Sequence, residues 1–82
     1  MEIVWDERKR LANIEKHGLD FAELTLGFFQ TALIRKARFG RLQAIGRHAD
    51  GKISVIFAVL GSQGLSIISM RPAKANERRL IS

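Results

Sequence analysis

Ile53-Ser54-Val55-Ile56-Phe57-Ala58-Val59-Leu60 decides the fold. A strand with one wet face alternates apolar and polar residues. This run is apolar on both parities, which predicts a central strand covered on both sides. Just before it, Ala49-Asp50-Gly51-Lys52 contains the Asp-Gly pair favoured in tight hairpins. Just after it, Gly61-Ser62-Gln63-Gly64 supplies a second turn. Working outward, Leu42 to His48 and Leu65 to Met70 become the flanking strands. Leu33 to Phe39 mixes apolar and basic residues and reads as an edge or half-exposed strand, turning through Phe39-Gly40-Arg41.

The remaining segments are helical apart from a short first strand, Ile3-Val4-Trp5. Asp6 caps a helix running to about Lys16, and Gly18 supplies the left-handed residue that ends it. Leu11 and Ile14 give this helix a narrow apolar stripe. Asp20 and Glu23 resemble a capping box for a second helix, with Leu19 and Leu24 at the spacing of a hydrophobic staple. Phe21, Leu24, Thr25 and Phe28 fall on one face of it. Pro72 suits the first turn of a last helix, from Ala73 to about Ile81. The predicted class is α+β: two N-terminal helices, an antiparallel four-stranded meander plus a short N-terminal strand, and a C-terminal helix. Residues 1–82 form one domain.

The chain has no cysteine, which rules out disulfides and Cys-based zinc sites and fits a reducing cytoplasm. Met1 to Asp6 does not read as a signal peptide, and Ile53 to Leu60 is too short to span a bilayer, so no membrane association is expected. The net charge is +6 and unevenly placed. Met1 to Glu23 carries four Lys/Arg against six Asp/Glu, whereas Leu24 to Ser82 carries ten against Asp50 and Glu77 alone. Such a field attracts polyanions, although the same excess also serves plain solubility.

Several segments, in order along almost the whole chain, resemble those of BrnT toxins. They begin with Trp5-Asp6-Glu7-Arg8-Lys9-Arg10, Asn13, Lys16-His17-Gly18 and Phe21. Ala44-Ile45-Gly46-Arg47 follows, then Ile67-Ile68-Ser69-Met70-Arg71 with Ala73, Glu77, Arg78 and Arg79. The resemblance implies a RelE-like fold and a bacterial, metal-independent endoribonuclease that suppresses translation. It also implies neutralisation by a ribbon-helix-helix antitoxin, with the complex repressing its own operon, so operator DNA is reached through the antitoxin. Two places depart from the family pattern. Phe57-Ala58 stands where members usually carry Tyr-Thr, and Leu80-Ile81 follows the Glu-Arg of the last helix where members tend to carry an aromatic residue. Loss of those hydroxyls leaves open a catalytically weak member that acts mainly by binding antitoxin. A generic nucleic-acid-binding module is a third reading.

Metal-free RNA cleavage needs a base for the 2′-hydroxyl, cations for the phosphate and an acid for the leaving oxygen. No residue spacing suggests a metal site, and no cofactor is expected. Arg71, where strand gives way to helix, suits phosphate. With Lys74 and Arg78 it approximates helical spacing and predicts one basic face. Glu77 is a candidate base or a carboxylate that orients an arginine. His17, whose ordinary pKa is near neutrality, is a candidate acid, though a histidine in a last turn also complements the helix dipole. Lys9 and Lys16 fall on one side of the first helix and are candidates for proton transfer and RNA contact respectively. Arg35, Arg38, Arg47, Lys74 and Arg79 complete the expected RNA-binding set. Arg35, Lys36, Arg38 and Arg41 read equally as an edge-strand guard against aggregation. His48 reads as a surface residue, Trp5 and Phe28 as core, and Phe29 as lining a partner groove.

Overall fold

The computed structural model describes residues 1–82. Five strands form one sheet: β1 (Glu2–Trp5), β2 (Leu33–Lys36), β3 (Leu42–His48), β4 (Gly51–Leu60) and β5 (Gly64–Pro72). Their order is β1-β5-β4-β3-β2, so β4 lies at the centre, and the four later strands make the antiparallel meander. β1 runs parallel to β5, with Trp5 opposite Ile67. Helix α1 (Glu7–His17) starts at Asp6, whose carboxylate accepts from the Arg8 and Lys9 amides, and stops at Gly18 with φ 70°. Arg10 then ties α1 to the next segment through Glu7 and Asp20.

The predicted second helix is two pieces. A 3-10 turn spans Phe21–Glu23, Leu24 is extended, and Thr25 caps α2 (Leu26–Thr31) by accepting from the Phe28 amide. Asp20 accepts from Ala22 and not from Glu23, so the capping box is not made. Phe21, Leu24 and Phe28 nonetheless all reach the core, as their shared helical face would also have placed them. The core lies between this helical layer and one sheet face, which contributes Ala44, Ile53, Val55, Phe57, Leu65, Ile67 and Met70.

Three other boundaries differ from the expectation. β2 ends at Lys36 and not Phe39. His48 pairs with Gly51, so Ala49 (φ 52°) and Asp50 form the turn and Gly51 opens β4. Pro72 closes β5, and the last helix, α3, spans Ala75–Arg78 and tightens into a 3-10 turn through Ile81. The proline is tolerated because of its orientation. Ala73 donates inward to Lys52 O while the Met70 amide points outward, so the N–H that Pro72 lacks falls on the outer edge.

The β2–β3 connection is a tight turn in which Arg41 N donates to Arg38 O and Ala37 N to Arg41 O. Its two central residues, Phe39 and Gly40, have φ 60° and 72°. Successive positive φ values mark the primed hairpin turns, where Asn-Gly and Gly-Gly are favoured. A bulky side chain held there costs on the order of 1 kcal/mol.

Candidate active site on the open sheet face

Residues of odd number on β3 and even number on β4 face away from the helical layer. A polar ladder crosses this open face. Arg35 on β2 lies opposite Gln43 on β3, and Ser54 on β4 lies opposite Arg71 on β5. Arg35 Nε donates to Gln43 Oε1 (2.7 Å), and Gln43 Nε2 donates to Ser54 Oγ (2.7 Å). Glu77, from α3, closes the ladder from above and is only 4% exposed.

Glu77 is the hub. Arg71 donates to it through both terminal nitrogens, Nη1 to Oε1 at 2.8 Å and Nη2 to Oε2 at 2.9 Å. Gln43 Nε2 donates to Oε2 at 2.9 Å and the Lys74 amide to Oε1 at 2.8 Å. Arg35 Nη2 stands 3.8 Å from Oε2. The bidentate Arg71 bond, followed by the Lys74 and Gln43 bonds, outweighs burial and holds the Glu77 carboxyl down at about 2. Arg71 is correspondingly raised, chiefly by the same bond. Two guanidiniums share one buried carboxylate, so the cluster keeps a net positive charge. Arg71 and Arg35 remain 27% and 44% exposed along their side chains. A rigid, doubly cationic surface of this kind suits a phosphodiester.

The other predicted residues are distributed around this cluster. Lys9, Lys16 and His17 line one hollow with Ile68 and Ser69 at the outer edge of β5. Ser69 precedes Arg71 by two residues on β5, so the backbone positions that carry the hollow and the ladder are roughly 7 Å apart along the strand. The single basic face expected of Arg71, Lys74 and Arg78 is not formed. Arg71 folds onto Glu77, whereas Arg78 lines a separate hollow with Lys52 and Arg79, beside Arg47 and Asp50. Arg47 is tied to the Ile81 carbonyl. Lys74 is exposed, and Arg38 stands in the β2–β3 turn. His48 lies 3.6 Å from Glu23. No three His, Asp or Glu side chains converge as a metal site requires. No helix is long and apolar enough to cross a membrane.

Two members of the ladder, Gln43 and Ser54, were not foreseen. A signal for them exists: each is a polar residue set between apolar neighbours of its strand, Gln43 between Leu42 and Ala44 and Ser54 between Ile53 and Val55, and a buried polar group requires partners. Asn13, part of the family-like run in the sequence, has a structural role that the run does not reveal. Its side chain donates to Met70 O and Leu19 O and accepts from Met70 N, doing the work of a neighbouring strand where β1 has ended.

The departures from the family pattern fall in different places. Phe57 points into the core, 4% exposed, and packs edge-on against Phe29. A hydroxyl missing there is missing from the helical side, not from the Arg71–Glu77 face. Ala58 alternates onto the open face opposite Ser66, and Leu80 is half exposed after α3. Phe29 also lines an apolar hollow with Met1, Leu26, Ile34 and Leu65.

Residues 5–77 match the family model described as "Ribonuclease toxin, BrnT, of type II toxin-antitoxin system". No curated protein sequence matches. The crystal structure of the Brucella abortus ribonuclease toxin BrnT is 51% identical, with a TM-score of 0.86, and the alignment covers 90% of this chain and 97% of that one. The architecture agrees with that neighbour, an α+β fold with a five-stranded sheet and a C-terminal helix. A family match over nearly the whole length and a near-complete structural superposition lead to one statement: the chain belongs to the BrnT family of ribonuclease toxins of type II toxin–antitoxin systems.

Proposed function

We propose that this protein is an active endoribonuclease that cleaves RNA without a metal ion and thereby suppresses translation. The observation that carries the reading is the Arg71–Glu77–Gln43–Arg35 ladder on the open sheet face. The phosphodiester lies against the guanidiniums of Arg71 and Arg35. The 2′-oxygen attacks the adjacent phosphorus, the P–O5′ bond breaks, and the products are a 2′,3′-cyclic phosphate and a 5′-hydroxyl. As attack proceeds, charge builds on the non-bridging oxygens, and the fixed arginines stabilise it without having to reorganise.

Glu77 serves as a positioning residue. A carboxylate that stays ionised down to about pH 2 has little basicity left for taking a proton near neutrality. Proton transfer to and from the sugar oxygens falls to the Lys9, Lys16 and His17 hollow beside Ser69. Arg38, Arg47, Lys74, Arg78 and Arg79 lengthen the path for the RNA backbone. The antitoxin is of the ribbon-helix-helix kind, and through it the complex reaches operator DNA in the cytoplasm.

Induced expression is expected to arrest growth, and co-expression of the antitoxin to restore it. Purified protein is expected to cut single-stranded RNA in excess EDTA, leaving cyclic-phosphate ends. Intact RNA together with unimpaired growth would overturn the assignment. Cleavage that EDTA abolishes would overturn its metal-free part.

A further inference from the structure

We propose that Phe39 is a base-stacking residue, which holds a nucleobase of the single strand beside the Arg35–Gln43 end of the ladder; this rests on the RNA-directed reading above. Phe39 is 87% exposed, far more than any other aromatic residue of the chain. Its ring joins neither the core nor an aromatic pair. Packing therefore does not explain it.

Local backbone preference does not explain it either. Phe39 holds φ 60° and ψ 35° in a turn where asparagine or glycine would sit without strain. A hydrophobic ring kept in water, on a left-handed backbone, opposes both solvation and turn geometry. Such a residue has a use outside the fold.

The surroundings specify the partner. Between Glu23 and Asp50 the sequence has no acidic residue, while Arg35, Lys36, Arg38 and Arg41 crowd the turn. The ring is thus offered inside a cationic frame, the combination that binds single-stranded nucleic acid: cations follow the backbone, and the ring takes the face of a base. The turn also joins the two strands that carry one end of the proposed site. Arg35 and Gln43 form the second rung before it, so Phe39 is four residues from Gln43 and at most about 14 Å away along the chain. A base stacked there belongs to a nucleotide close to the phosphate held by Arg35 and Arg71.

The decisive variant is F39N, because Asn-Gly is the favoured pair for this turn and removes the ring without harming the fold. Its melting temperature is expected to rise by about 4 °C. Binding is read by fluorescence anisotropy with a non-cleavable 2′-O-methyl RNA oligomer and with an abasic oligomer of the same length. F39N is expected to weaken the base-bearing oligomer about ten-fold and to leave the abasic one unchanged, while F39W binds both as the wild type does. Equal binding of both oligomers by F39N and the wild type would overturn the proposal. So would an equal loss on both, or a loss confined to the antitoxin. A wild type that binds in this base-dependent way but cuts no RNA would remove the nuclease assignment and leave the stacking role standing.

Discussion

Glu77 shows how one side chain couples stability to the site. It is buried and ionised, an arrangement that persists only with complete hydrogen bonding. Arg71, Gln43 and the Lys74 amide supply that bonding. Its ordinary value of 4.5 applies to the unfolded chain, and the folded value is about 2. Folding is therefore favoured above pH 4.5, by about 3 kcal/mol from this group. That contribution shrinks as the pH falls through this window and is gone below the folded value. Urea unfolding of the wild type and E77Q, repeated from pH 7 to pH 2, is expected to show a gap that closes over this range. A gap independent of pH would contradict the ionised hub. Arg35 makes the opposite case at the same scale. It is nearly half exposed and stands 3.8 Å from Glu77, a loose pair that adds little, but its Nε is the partner of the buried Gln43 Oε1. R35A is therefore expected to cost about 1 kcal/mol of stability, less than E77Q at neutral pH, while lowering RNA cleavage measurably.

At the scale of elements, the sheet edge and the helix contacts set the geometry. Asn13 takes the place of a strand beside Met70, and N13A leaves a buried amide and carbonyl without partners. A loss of about 3 kcal/mol is expected from chemical unfolding. Gly46 is the close approach of α2 to β3: an added Cβ would stand 2.8 Å from Phe28 Cε1 and 3.2 Å from Ala32 Cβ. G46A is expected to lower stability by about 2 kcal/mol through overpacking, readable in the same experiment.

Much of this layer was legible in the sequence. The apolar parity of Ile53 to Leu60 marked the central strand, although only Ile53, Ser54, Val55 and Phe57 are buried, with Ile56 and Ala58 half-buried and Leu60 exposed on the other face. Asp6 and Gly18 bounded α1 as their cap chemistry dictates. What was not legible depends on tertiary choices. Thr25 reads as one face of a long helix until Leu24 is known to be extended and buried. Pro72 reads as a helix start until the outer edge of β5 is known to need no N–H there. Glu77 and Arg71 were recognisable as candidates. Their bidentate bond, and the separation of Arg78 from it, follow from how α3 lies over the sheet.

At the scale of the whole molecule, the two layers divide the work. The helical layer and one sheet face hold the core, and the open face carries the charged ladder. The +6 net charge is concentrated after Glu23. RNA affinity is accordingly expected to fall with salt, with a logarithmic slope of about −0.7 for each phosphate neutralised. The central claim is that Arg71, fixed by Glu77, makes this sheet face a catalyst of RNA cleavage. It is tested most directly by comparing the wild type with R71K in cleavage of single-stranded RNA in EDTA. Lysine keeps a cation beside Glu77, so R71K should fold, but it cannot hold carboxylate and phosphate together through a planar fork. The account predicts EDTA-resistant cleavage by the wild type and a rate about 100-fold lower for folded R71K. Cleavage by R71K at the wild-type rate would contradict it.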